Sequence, residues 1–86
     1  MNMNERTNEV LDRLVQCILN MAPRGTKHMC TMLNGLWQKR DGEAASNERM
    51  EAEKLCEEKP SEISTWYFIA AMQIEMSIAL SSELVA

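Results

Sequence analysis

The chain has 86 residues, of which 45% are hydrophobic and 26% are charged, and its formal net charge is −4. This composition is typical of a folded globular protein and argues against disorder. The length suits a single domain whose core is marginal without oligomerisation, metal or disulfides, and the acidic balance disfavours sequence-independent binding to nucleic acid.

Targeting signals and cysteines indicate the compartment. Residues Met1 to Glu5 are polar and lack the apolar core of a secretory signal. The three cysteines are odd in number, have no short-spaced pair, and each falls within a predicted helix: Cys17, Cys30 and Cys56. We therefore expect reduced core thiols in a cytoplasmic protein.

The first predicted helix runs from Asn4 to Ala22. Its apolar residues recur at spacings of three and four, as an amphipathic helix requires. They are Val10, Leu11, Leu14, Val15, Ile18 and Leu19. Asn4 is the expected N-cap, and Pro23 with Gly25 ends the helix.

The second predicted helix begins after Thr26, its expected N-cap, and reaches about Arg40. Its apolar stripe consists of Met29, Met32, Leu33, Leu36 and Trp37. Gly42 is expected to supply a left-handed stop. Gly35 lies inside this helix at a cost of roughly 1 kcal/mol relative to alanine, so we expect it to pack closely against a neighbour.

The third predicted helix, Glu43 to Lys59, is rich in helix formers but poor in core residues. Its best apolar stripe is Ala45, Ala52, Leu55 and Cys56, and glutamates occupy most of the remaining surface. Such a helix contacts the core along a narrow line, and we expect it to be the most mobile part of the fold. Its acidic face is either simply solvated or docks on a basic partner surface.

The fourth predicted helix is capped by Ser61, extends to Val85, and is apolar on nearly every side. A helix of this kind must be buried all round, as a central core helix or as a subunit interface. Gln73, Glu75 and Ser77 interrupt its middle, so we expect no membrane span. The expected interface residues are Trp66, Ile69, Met72, Ile74, Met76, Ile78 and Leu80.

These four segments, joined by short turns, predict an all-α fold in which residues 1–86 form one small bundle of about four helices. The last helix is central or lies at an oligomer interface. The expected core residues are Leu14, Ile18, Leu33, Trp37, Ile69 and Met72.

One short segment has the composition of an anion site. It places cations at a predicted helix N-terminus, where free N–H groups and the helix dipole favour anions. The candidate phosphate contacts are Arg24, Thr26, Lys27 and His28. Their order does not match a phosphate-binding loop, and an ordinary capped turn is the alternative interpretation.

Catalytic and metal-binding patterns are not apparent. His28 and Cys30 supply zinc-ligand types, but residues two apart on a helix point to different faces. The same geometry prevents His28 from acting as a base for Cys30 within one helix. We therefore expect no metal, no cofactor and no enzymatic activity.

The sequence favours a small helical interaction protein, that is, a regulator, inhibitor or adaptor that binds another protein and forms a homodimer. Its eight methionines suit an adaptable interface. By analogy, compact genomes such as those of phages encode proteins of this kind. The alternative is a small nucleic-acid- or nucleotide-binding regulator that uses Arg24, Lys27, Lys39 and Arg40.

Overall fold

The fold is a bundle of α-helices, as the sequence predicts. The computed structural model describes residues 12–13 and 16–85, with side chains as far as Leu80. Residues 12–13 are helical, and the elements that follow are α1 (residues 16–21), a 3₁₀ turn (Arg24–Thr26), α2 (Lys27–Lys39), α3 (Gly42–Glu58) and α4 (Glu62–Val85). The predicted helix start at Asn4 and the predicted core role of Leu14 lie outside the described residues.

Helix α4 organises the packing of the other elements. It contacts α3 most extensively and also packs against α2 and the 3₁₀ turn. Both helices bury alanines, and small side chains allow two helices to approach closely. The buried alanines are Ala45 and Ala52 on α3 and Ala70 and Ala71 on α4. The principal extents of the fold are 43 × 23 × 14 Å, so the bundle is at most two helix layers thick.

The core confirms part of the sequence prediction. Leu33 and Trp37 of α2 are fully buried, as expected. Ile18, Ile69 and Met72 are only half-buried. They lie at the edge of the core, so the prediction that they are core residues is corrected. Because the described residues form at most two layers, they provide no further layer over the outward sides of the helices.

The link between α2 and α3 differs from the prediction in its left-handed residue. That residue is Arg40, with φ 51° and ψ 44°, and not Gly42. The backbone N–H of Arg40 donates to the carbonyls of Leu36 and Trp37, both at 3.0 Å. Left-handed backbone costs a residue with a Cβ about 1–2 kcal/mol. The Arg40 guanidinium lies 5.4 Å from the Trp37 ring centroid, a cation–π contact that acts against this cost.

Gly42 is instead the first residue of α3, because Asp41 caps that helix. The Asp41 carboxylate accepts hydrogen bonds from the backbone N–H groups of Glu43 and Ala44, at 3.0 and 3.1 Å. Aspartate is among the most favoured N-cap residues, and its charge suits the positive end of the helix dipole.

The predicted cap of α4 is confirmed. The Ser61 hydroxyl accepts from the backbone N–H of Ser64 at 3.0 Å, and the Ser64 hydroxyl oxygen accepts from the N–H of Ser61 at 2.9 Å. This reciprocal pair is a capping box with serine in the third helical position. It sets the start of α4 at Glu62, directly after the cap residue.

The predicted close packing of Gly35 is wrong. Apart from its chain neighbours and the surrounding α2 backbone, a Cβ built on Gly35 would meet no atom of the described residues within 4 Å, so this side of α2 is open. The close approach occurs at Gly25, where a Cβ would lie 3.2 Å from Cδ1 of Ile63. Gly35 therefore carries the propensity cost of a mid-helix glycine without a packing reason inside the described fold.

Replacing Gly35 with alanine should stabilise the protein. The added methyl enters open space, and alanine is favoured over glycine in a helix interior by about 0.8–1 kcal/mol. Urea denaturation followed by circular dichroism should show a higher midpoint for Gly35→Ala at an unchanged slope. A lower midpoint would mean that Gly35 is in close contact with another group.

Two neighbouring residues of α2 test which face of the helix is buried. Leu33→Ala removes a fully buried side chain and should lower the free energy of unfolding by about 2–5 kcal/mol. Met32→Ala changes an exposed side chain, so its free energy of unfolding should stay within about 0.5 kcal/mol of the parent value. Equal losses in the two variants would contradict the orientation of α2.

Candidate functional site

A stripe of apolar side chains lies on the outward side of α4. We call it the outer stripe and define it as Ile69, Met72, Met76 and Leu80. Their spacings of three and four residues place them on one helix face. Met76 and Leu80 are 57% and 48% exposed, while Ile69 and Met72 are half-buried. The outer stripe spans about 16 Å at 1.5 Å per residue.

The other predicted interface residues of α4 lie elsewhere. Ile74 and Ile78 are buried in the chain's own core, where they are inaccessible to a partner. Trp66 is half-buried and packs against this core. Of the residues predicted to form an interface, only those of the outer stripe remain available to a partner, because α2 and α3 already cover the opposite face of α4.

A polar network joins α3 to α4 beside this apolar surface. The Glu75 carboxylate accepts hydrogen bonds from Nε of Arg49 and from the hydroxyl of Ser46, both at 2.8 Å. Arg49 also donates to Glu53, one turn further along α3, at 2.7 Å. The Arg49 guanidinium, followed by the Ser46 hydroxyl, lowers the pKa of Glu75. The single charged residue between Ile63 and Leu80 is thus neutralised within the chain.

The segment Glu62–Leu80 meets the length and composition of a membrane-spanning helix. Its mean hydropathy is 1.2, and 33% of it is buried in the fold. The core helix of a soluble protein passes the same test. Its one central carboxylate, Glu75, faces Arg49 of α3.

The geometry of the 3₁₀ turn places the four predicted phosphate contacts in different environments. Arg24, Lys27 and His28 are exposed, whereas Thr26 is fully buried, and its hydroxyl has no hydrogen-bond partner among the residues that the structure describes. Thr26 occupies the N-cap position of α2 with helical backbone angles, and its side chain makes no capping bond. It is therefore removed from the set of candidate phosphate contacts.

A polar pocket lies next to this turn, between α1 and α2. It has a volume of about 200 Å³ and is lined by Gln16, Leu19, Asn20, Lys27, Cys30, Thr31 and Asn34. The Gln16 amide donates to the Asn34 side-chain oxygen at 2.8 Å and ties the two helices together. Lys27 is the only cation among these lining residues, so the pocket offers a small anion one charged contact.

The cysteines occupy three different environments. Cys30 is buried, and burial raises the pKa of its thiol, which keeps it protonated. Cys56 is half-buried, with its sulfur 3.9 Å from the Thr65 hydroxyl. Cys17 is exposed, so its assignment as a core thiol is corrected. Within the described part of the chain, no three His, Cys, Asp or Glu residues are grouped to hold a metal ion.

Asp12 links the helical residues 12–13 to the end of α2. One of its carboxylate oxygens accepts from the indole Nε1 of Trp37, and the other pairs with the Arg40 guanidinium at 3.0 Å. A buried indole requires a polar partner for its N–H group, and Asp12 provides it. Arg40 is consequently engaged within the fold.

Sequence reasoning missed the Asp12 and Glu75 interactions and the Asp41 cap. Of these, only the cap has a local sequence signal, since an aspartate directly precedes a run of helix formers. The other two join residues that are 25 to 29 positions apart in the chain. Comparisons with protein-family models, curated proteins and solved structures find no match.

The Glu75 network should make stability depend on pH. A carboxyl with a lowered pKa in the folded state contributes stability above its unfolded pKa, about 4.3 for glutamate, and loses it as pH falls through the folded value. Unfolding midpoints measured at neutral and acidic pH should therefore fall less steeply in Glu75→Gln than in the parent. Glu62→Gln, an exposed control on α4, should keep the parental slope.

Proposed function

We propose that this protein is a small, cytoplasmic, non-enzymatic interaction protein that forms a homodimer through the outer stripe and binds another protein as a regulator, inhibitor or adaptor. The observation that carries the proposal is the outer stripe itself. A contiguous apolar surface on a small helical bundle is typical of a binding surface.

The spacing of the outer stripe favours a second helix as its occupant. Ile69, Met72 and Met76 follow the alternation of three and four that lets side chains of one helix fill the spaces between those of another. Two copies related by a two-fold axis present the same stripe to each other, which is the commonest form of closed assembly. Methionine side chains adapt readily to such contacts.

Charge also favours a second copy on this surface. The chain carries a net charge of −4, which opposes self-association in general. Between Ile63 and Leu80, however, the sole charged residue is Glu75, and it pairs with Arg49. Two α4 helices can therefore approach without like-charge repulsion along the outer stripe.

The alternative function, nucleic-acid or nucleotide binding, has less support. Its four cations do not form one patch, because Lys27 and Lys39 lie at opposite ends of α2, about 18 Å apart at 1.5 Å per residue. Arg40 is engaged by Asp12 and Trp37. Arg24 and Lys27 are left at one end, beside the polar pocket.

A charge placed in the outer stripe should separate the copies. Light scattering at high micromolar concentration should give twice the chain mass of 9.8 kDa for the parent and 9.8 kDa for Met76→Lys. Met50→Lys is the matched control, because Met50 is 52% exposed, similar to Met76, but lies on α3. This variant should remain dimeric.

Two results would contradict the proposal. One is a parent protein that is monomeric at this concentration. The other is flotation of the parent with lipid vesicles that Met76→Lys abolishes, which would assign the outer stripe to a membrane surface. Circular dichroism of both lysine variants should match the parent, since each changes an exposed side chain.

A further inference from the structure

A second apolar surface lies between α2 and α3, away from α4. We call it the side groove; it has a volume of about 370 Å³ and is lined by Met32, Gly35, Leu36, Lys39 and Glu48. Met32 is 60% exposed and Leu36 is half-buried, so the apolar part of the groove lies on its α2 side. Lys39, the last residue of α2, lines one side of the groove, and Glu48 of α3 lines the other.

Gly35 leaves the α2 wall open. Beyond the local α2 backbone, no described atom lies within 4 Å of the position that its Cβ would occupy, and the residue is exposed. A glycine in this position allows another backbone to approach α2 closely. Alanine would suit α2 better in isolation, so the glycine is locally unfavourable.

Glu48 is a second locally unfavourable choice in the same groove. It is half-buried, and burial together with the nearby charge of Glu51 raises its pKa. The ion pairs found among the described residues join Arg40 to Asp12 and Arg49 to Glu53 and Glu75; none includes Glu48 or Glu51. The α3 side of the groove thus presents Glu48, with Glu51 beside it, and neither carboxylate belongs to one of these ion pairs; the cation of the lining, Lys39, lies on α2. Residues that break local rules at one place are expected at functional sites.

We propose that the side groove docks an amphipathic helix of a partner protein, with an apolar face against Met32, Gly35 and Leu36 and basic side chains along the flank that meets Glu48 and Glu51. This deepens the proposed function, on which it rests, by naming the surface and the chemistry of the partner. Helix-in-groove docking with apolar residues at spacings of three and four is a common recognition mode.

The charges select this occupant over a second copy of the chain. A copy docking through its own outer stripe would bring no cation to the groove, because α4 contains neither lysine nor arginine. A uniformly acidic helix would be repelled by Glu48 and Glu51. Lys39, on the opposite wall, disfavours a helix that is basic on both flanks and so sets the orientation of the occupant.

The test uses two designed helical peptides that share a leucine–alanine apolar face. One carries lysines along a single flank and glutamines elsewhere, and the other carries glutamates in place of the lysines. Fluorescence anisotropy with the full chain should detect saturable binding of the lysine peptide and at least about tenfold weaker binding of the glutamate peptide.

Variants assign that binding to the side groove. Gly35→Gln fills the groove without changing charge and should abolish binding, while Gly35→Ala adds one methyl and should weaken binding by a smaller factor. The double variant Glu48→Gln, Glu51→Gln should weaken binding about tenfold. Glu57→Gln, Glu58→Gln removes the same charge from exposed positions at the end of α3 and should leave binding unchanged.

Three results would overturn the inference: no binding of the lysine peptide, binding that survives Gly35→Gln, or equal weakening in the two glutamate double variants. The last result would indicate general attraction to an acidic chain. The same titration with Met76→Lys separates this inference from dimerisation, because peptide binding by the groove should persist whether or not the copies associate.

Discussion

The structure depends on a constraint that α4 imposes: this helix is apolar on nearly every side, but the helices described by the structure cover only one of its faces. Ile74 and Ile78 occupy the covered face and contact the rest of the core. Met76 and Leu80 lie on the other face, in solvent. An additional helix layer would be needed to bury both faces, and the described residues do not form one.

The α3–α4 contact shows how a charged helix can still serve the core. Helix α3 contributes Ala45 and Ala52 to the buried surface, and their small size brings its backbone close to α4. The charges beside this line are then in reach of α4, where Arg49 meets Glu75. A thin apolar stripe is therefore sufficient for extensive packing, because the polar residues that flank it also find partners.

Local signals predicted the fold, and long-range contacts limited what could be said of the surfaces. The helical periods, Pro60 and the Ser61 cap each act over a few residues, so they could be identified from the sequence. Which side of α4 is covered depends on residues far away in the chain, and the expected interface consequently included both its buried and its exposed residues. Gly35 shows the same limit, since a glycine that permits close packing and one that leaves open space have the same local sequence.

The outer stripe and the side groove share no residue and lie on different helices, so occupation of one leaves the other available. If α4 pairs two copies, each dimer presents two side grooves at a fixed separation. A partner with two basic amphipathic helices, or two partners on one assembly, would then bind with an effective concentration set by the dimer. Dimerisation through the outer stripe of α4 would therefore strengthen partner binding at the side groove, although α4 contributes no side chain to that groove.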